Sequence, residues 1–579
     1  MKHKTNWIVL CAATVVIGMY AWSGEAAEDA PAMRAGVASM DITPEMPIRL
    51  SGYAARQEEA QEVEQPLYAK ALALDADGAP LSVLITADLI AVPAWITEEL
   101  AQRLEEQAGL EPAQLAICAT HTHAGPVVRR SIPDLFGEDL PDDEQGRIDR
   151  YAETLVDKLE AVALEAAGNL SEARLAWGQG SVDFAMNRRV LEDGQWTGFG
   201  AVPEGPVDHD VPVLSVTDPE GGLHAVFVNY ACHCTTLTGQ FNVVHGDWAG
   251  EAAARLEEAH DGAIALIAIG CGADANPHPR AELEHTAQHG QTLAEEVNEV
   301  LAGKLTPIHH APLGEIRTVS LPFAEQDAAL EYPIQTWTFG DELAMVFLPG
   351  EVTVDYALRL KDELDRRRLW VNAYANDVPC YIASSRVIEE GGYEVDRSMD
   401  FYGQPGPFSP EIEDIIIGAV HDMLTPAFER PEREPVERVE GNEPRLITPE
   451  DDGSLRLTAA AGSPYGQRIE YMPEWEAFGW WRDDDHVEWE VEVPETGRYE
   501  VWMEWSVSDA SAGNPYVFVA NQRVLRGFIQ PTGGWEEFDT AKIGELTLPA
   551  GRHTMAMKSA SEYEEALMDL REIRLTPVE

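Results

Sequence analysis

Between residues 426 and 444 the chain reads PAFERPEREPVERVEGNEP, and the hydrophobic pattern differs so sharply on its two sides that one fold cannot accommodate both. Prolines remove backbone donors and charged side chains stay solvated, so residues 429–445 read as a linker rather than as core. Downstream, Val487, Trp489, Val491 and Val493 alternate with polar residues, as do Tyr499, Val501, Met503 and Trp505 across the turn PETGR. Period two with turn signals predicts antiparallel strands, hence an all-β sandwich, jelly-roll-like, over 446–579. A chain of 579 residues also exceeds what one core supports.

Upstream, apolar runs alternate with helical periodicity. Strands are predicted at 81–90, 115–123, 211–216, 223–231, 263–269 and 343–348. Helices are predicted near 94–106, 144–167, 248–258, 281–302 and 352–365. This alternation predicts a mixed α/β domain over 34–428, with central β-sheets and flanking helices.

The first 27 residues read as an export signal: Lys2 and Lys4 precede an apolar run from Trp7 to Met19, and Gly24-Glu25-Ala26-Ala27 supplies small residues for cleavage. An uncleaved anchor is the other reading, although the run is short for a span. No later stretch is apolar enough to cross a bilayer, so a periplasmic or secreted protein without an integral membrane segment is expected after cleavage. The formal net charge of -60 repels nucleic acid and anionic lipid. Of six cysteines, Cys11 lies in the signal, leaving Cys118, Cys232, Cys234, Cys271 and Cys380. An odd number argues against a disulfide scaffold and for small buried hydrophobes, with one bridge possible.

Chemistry concentrates in a few segments. In CATHTHAGP, an extended continuation of the strand would put His121 and His123 on one face at the sheet rim, a pattern that suits zinc and equally a polar core. VNYACHCTTLTGQFNVVHGDWAG ends an apolar strand with His233, and an extended chain turns Cys232 and Cys234 away from the His233 face. Asp247 stands at a helix start, where it caps or, with His245, leaves room for a second metal. In AMVFLPGEVTVDYALRL a Pro-Gly turn sets Glu351 at another helix start, favourable for a carboxylate with or without a metal.

These pieces occur in a characteristic order. GVASMDIT, LSGYA, LYAKALAL, VLITADLI, ATHTHAGP, MNRRV, the His233 segment, GCGADANP and FLPGE resemble the catalytic domain of the neutral, non-lysosomal ceramidases over residues 34–428. The resemblance implies a zinc amidohydrolase cleaving the N-acyl bond of ceramide. It implies His121, His233, Glu351 and a tyrosine of NAYANDVPCYIASS as zinc ligands; Tyr381 matches best and Tyr374 second. His123 and Arg188 would polarise the carbonyl or position the water.

One departure matters. The family carries a serine in a D-x-S-P element, where this chain has Asp274-Ala275-Asn276-Pro277. Asn276 cannot accept an acyl group, though it can donate a hydrogen bond to an oxyanion; Asp274 and Asn276 are kept among the catalytic candidates. Zinc with an open position brings the pKa of a bound water to about 7, so hydrolysis does not require the serine, with His123 handling the proton.

The tail bears on the substrate. GWWRDDDHVEWEVEVPETGRYEVWMEWS, QPTGGWEEF and GELTLPAGRHTMAMKS resemble carbohydrate-binding modules, whose tryptophans and carboxylates suit sugars. Three readings therefore stand: hydrolysis of a ceramide-like lipid, zinc-dependent deacylation of an extracellular glycan tethered by the tail, and a non-catalytic glycan-binding protein.

Overall fold

The computed structural model describes residues 33–429 and 442–578, apart from 138, 193, 204, 451, 467, 482–484, 521–522 and 560–565. The segment read as an export signal and most of the expected linker lie outside the described residues. The fold is mixed α/β, followed by an all-β tail.

Three sheets build the first part. One runs in the order Leu115–Ala119, Ser82–Ala87, Tyr68–Ala76, Met33–Asp41 and Ser171–Glu172. A second runs Ile264–Ile269, Leu223–Tyr230, Asp210–Thr217, Arg174–Ser181 and Thr306–Ile308. A third runs Leu313–Pro322, Ala329–Phe339, Leu343–Phe347 and Leu369–Asn372. Each contains one parallel pair closed by a crossover helix: Ala94–Ala108, Asp247–Ala259 and Val354–Glu363 respectively. Parallel pairing demands such crossovers, and it places their C-terminal strand ends together. The strands are apolar throughout because both faces are covered: every residue of Ser82–Ala87, Leu115–Ala119 and Leu343–Phe347 is buried.

The sheets are sewn together at those ends. Ala119 N–H donates to Tyr374 O at 3.1 Å, and Ala373 N–H to Ile269 O at 2.9 Å. A smaller sheet of Ala275–Pro277, Ala185–Glu192 and Gln195–Val202 lies alongside, and a two-residue parallel pair registers Glu351 against Tyr381.

In the tail, sheets of six and five strands enclose a core. Val487, Trp489, Val491 and Val493, and Tyr499, Val501, Met503 and Trp505, all point into it, as period two requires. Trp481 joins them inside, while Trp480 stays 59% exposed. The tail is docked rather than loose: Phe528 packs on the apolar core of the first part, and its ring would lie 2.6 Å from a Cβ at Gly303.

The five cysteines in the described residues are free and buried, as small apolar residues would be.

Candidate metal centre

Each parallel strand end delivers one part of the site. His121 follows Leu115–Ala119 by two residues, His233 follows Leu223–Tyr230 by three, and Glu351 follows Leu343–Phe347 across the Pro349-Gly350 turn. The extended continuation expected through residue 123 does not occur. The strand stops at Ala119, and His121 adopts φ 55°. A left-handed residue breaks strand alternation, so the two histidines converge by a turn rather than by sharing a pleat.

They nonetheless converge. His121, His123 and His233 present ring nitrogens that lie within 4.8 Å of one another, the one such group of histidine, cysteine and carboxylate donors found among the described residues. His121 Nε2 is 3.1 Å from His123 Nε2. Glu351 Oε2 lies 3.0 Å from His233 Nε2 and 3.2 Å from His121 Nε2.

The outer nitrogens distinguish the three rings. His121 Nδ1 meets Ile90 O at 2.7 Å and His233 Nδ1 meets Gly272 O at 2.8 Å. A carbonyl only accepts, so both Nδ1 atoms carry the proton and both Nε2 lone pairs face inward, the arrangement that orients a metal ligand. His123 Nδ1 is buried with no partner. With the His121 Nε2 lone pair facing it at 3.1 Å, His123 Nε2 is the donor and the His123 Nδ1 lone pair stays free.

Electrostatics agree. Burial pushes His233 down to about 3, and the Arg188 guanidinium adds to the effect. Burial, His121 and His233 together hold His123 well below the usual imidazole range. Burial raises the Glu351 carboxyl, but His121 and His233 overcome it and hold the group well below the usual carboxylate range. Imidazole nitrogens beside a carboxylate form a donor set that suits a borderline divalent cation such as zinc.

Gly52, in the LSGYA segment, makes room for this. At φ 86° its missing Cβ would lie 2.5 Å from His123 Nδ1. Arg56 completes the seat by donating to the carbonyls of His123 and Ser51.

Arg188, itself buried, borders the site. Its Nε donates to Glu394 Oε1 at 3.0 Å, its Nη2 to Tyr381 Oη at 3.1 Å, and its Nη1 to Asn276 Oδ1 at 3.4 Å, the same Nη1 lying 3.4 Å from His233 Nε2. Thr235 also donates to Asn276 Oδ1, at 3.0 Å. With its oxygen claimed by two donors, Asn276 turns its NH2 away from them.

The remaining candidates divide. Tyr381 has its hydroxyl in the Arg188 fork, whereas Tyr374 lays its ring on His121 at 4.2 Å and turns its hydroxyl to the outer nitrogen of His233 at 3.5 Å. Asp274 stands behind the site. Its carboxylate accepts from Val354 N–H at 2.9 Å and Asn187 Nδ2 at 3.1 Å, while its carbonyl accepts from Arg188 N–H at 2.8 Å. Asp247 binds the N–H groups of Thr236, Leu237 and Trp248, and His245 Nδ1 accepts from Asp247 N–H. Neither belongs to the ring-nitrogen group.

Sequence reasoning missed two supports. Tyr402 donates to Glu351 Oε1 at 2.5 Å, and the fully buried Glu394 bridges Arg188 and Arg189. Both lie in the polar stretch after Tyr381, where no periodicity marks them.

Residues 33–278 match the family model for the neutral/alkaline non-lysosomal ceramidase N-terminal domain. A neutral ceramidase of Oryza sativa subsp. japonica is 24% identical over 235 residues, 38% of this chain and 28% of that protein, so the chain spans little more than a quarter of the curated relative's length. In structure, the chain is similar to neutral ceramidase from Pseudomonas aeruginosa at 14% identity and a TM-score of 0.56, with 95% of this chain and 100% of that chain covered. A second solved structure, a ceramidase complexed with C2, fits with the same figures. The likeness read from T-H-T-H and its companions therefore holds for sequence and for fold.

Proposed function

We propose that the chain is an exported, zinc-dependent amidohydrolase that cleaves the N-acyl bond of a ceramide-like lipid with water as acceptor. One observation carries the reading: His121 and His233, both with Nδ1 committed to a carbonyl, and the ionised Glu351 face one point. These three would hold the ion, with Tyr381 as the fourth group. When bound, zinc supplies a Lewis acid and acidifies a water molecule.

The chain's own residues do the rest. His123, neutral and with a free lone pair at Nδ1, takes a proton from the attacking water and returns it to the leaving nitrogen. Asn276 directs its NH2 to the scissile carbonyl oxygen, beside the Arg188 guanidinium. Arg188 is itself fixed by Glu394, so these donors are in place before charge develops. Asp274 positions Arg188 through the backbone, its carbonyl accepting from Arg188 N–H.

No helix among the described residues is long and apolar enough to cross a membrane, and the basic, then apolar, first residues support export. The tail is proposed to hold polysaccharide, with Trp480 as an exposed ring for stacking. That tail supports a second reading, deacylation of a glycan at the same centre.

The test is elemental analysis of the purified protein together with fatty-acid release from ceramide and acetate release from acetylated glycans. Zinc near one per chain with ceramide turnover is expected. Acetate release alone would favour the glycan reading, and zinc-free protein without turnover would refute both.

A further inference from the structure

Phe199 is 51% exposed, and single exposed apolar residues ordinarily need no explanation. This one is fixed. It stands on the hairpin of Ala185–Glu192 and Gln195–Val202, opposite Arg189 in register. The guanidinium carbon of Arg188 lies 4.9 Å from its ring centroid. Tyr393 meets it edge-on at 5.2 Å and Trp196 at 5.5 Å. Three partners hold the ring and leave much of its surface to solvent, with Leu191 39% exposed on the paired strand.

Its place gives the ring meaning. The same guanidinium reaches Asn276 and His233 Nε2, both at 3.4 Å. A substrate with its acyl carbonyl beside Asn276 and His233 would therefore have Phe199 one guanidinium away, on the far face of Arg188. We infer that Phe199 is a specificity-determining residue whose ring receives an alkyl chain next to the scissile bond. The inference rests on the proposed N-acyl hydrolysis for the position of that bond.

The chemistry around the ring favours an alkyl chain over a sugar. Phe199, Trp196 and Leu191 offer apolar surface, and the Tyr393 hydroxyl is engaged with Tyr381. A sugar ring would need hydroxyl partners as well as a stacking face, whereas an alkyl chain needs only area. Arg188 beneath the ring strengthens the arrangement, because the chain shields the cation–π pair from water.

The experiment compares wild type with Phe199→Ala and Phe199→Leu across N-acyl amine substrates of two to sixteen acyl carbons. Turnover is read beside equilibrium binding of a fluorescent long-chain N-acyl amide. For Phe199→Ala, kcat/KM on the long-chain substrate is expected to fall about tenfold, carried in KM. The short-chain substrate should change less than about twofold, and Phe199→Leu should restore much of the loss. Equal effects at all chain lengths, or an effect carried in kcat, would overturn the platform while leaving the hydrolase reading intact. Chain-length-dependent binding lost in Phe199→Ala, without turnover in wild type, would keep the platform and refute the hydrolase. Absence of chain-length dependence in wild-type binding would overturn the platform.

Discussion

Gly52→Ala tests whether the metal centre is built as described, because the substitution adds one methyl group at a place that cannot take it. The new Cβ would sit 2.5 Å from His123 Nδ1 and 2.6 Å from its Cγ, against a contact limit of 3.0 Å. The ring must therefore yield by at least 3.0 − 2.5 = 0.5 Å, or the backbone must leave φ 86°. Holding alanine in the left-handed region costs about 1–2 kcal/mol, and the overpacking adds a similar amount. A displacement of about 1 Å at a catalytic group costs about a hundredfold in rate, so half that predicts a loss of about tenfold. His121, His233 and Glu351 do not touch Gly52, so zinc content should persist. The assay is kcat/KM beside thermal unfolding and elemental zinc. Unchanged turnover with an unchanged melting temperature would refute the close approach, and loss of zinc would refute the assignment of His123 as a group separate from the ligands.

Further outcomes follow from the same geometry. His121→Ala and Glu351→Gln should purify with little zinc, whereas His123→Ala should keep zinc and lose turnover by about 10²–10⁴-fold; equal zinc loss in all three, by elemental analysis, would contradict the split. Tyr402→Phe removes the donor to Glu351 Oε1 and should weaken zinc binding by about 10- to 100-fold, read by competition with a chromophoric chelator. Glu296 is driven by burial to about 7 from 4.5, partly opposed by Ser181 N–H at 2.7 Å. A carboxyl raised on folding contributes stability below the unfolded pKa and loses it as pH rises through the folded one. The penalty above pH 7 reaches at most about 3 kcal/mol, from about 2.5 pKa units. Glu296→Gln should therefore melt higher than wild type at pH 8 and equally at pH 4, and a gain at pH 4 alone would reverse the sign.

Much of the fold could be read directly because the periodicities are strong. The predicted helices over 94–106, 144–167, 248–258 and 281–302 stand as Ala94–Ala108, Asp142–Gly168, Asp247–Ala259 and Leu283–Ala302. In the tail, Val487 through Val493 bury alternate side chains because antiparallel strands of a sandwich have one wet face. Sheet order was not legible. Local pattern says that a strand is buried on both faces, but not that Leu115–Ala119 and Leu369–Asn372 meet at their ends through Ala119 N–H and Tyr374 O. That contact joins residues 255 positions apart, and nothing in either segment encodes its partner.

The site shows the same division between type and placement. His121 and His233 stood out because each follows an apolar strand, where α/β sheets expose chemistry, and the resemblance to the ceramidases joined Glu351 to them. The T-H-T-H pair converges for a reason that pattern reading did not supply. His121 leaves the strand at φ 55°, and Gly52, 69 residues earlier, provides the space for His123. The difference between the two histidines lies in atoms the sequence does not name. Ile90 O fixes the tautomer of His121, while His123 Nδ1 has no such acceptor. The substitution of Asn276 for the serine of the family acquires a meaning in the same way. Thr235 and Arg188 both donate to its Oδ1, so its orientation is set by neighbours and its NH2 remains available. A residue that cannot accept an acyl group thus has its amide oriented by its neighbours, which is the observation the proposed hydrolysis by water draws on.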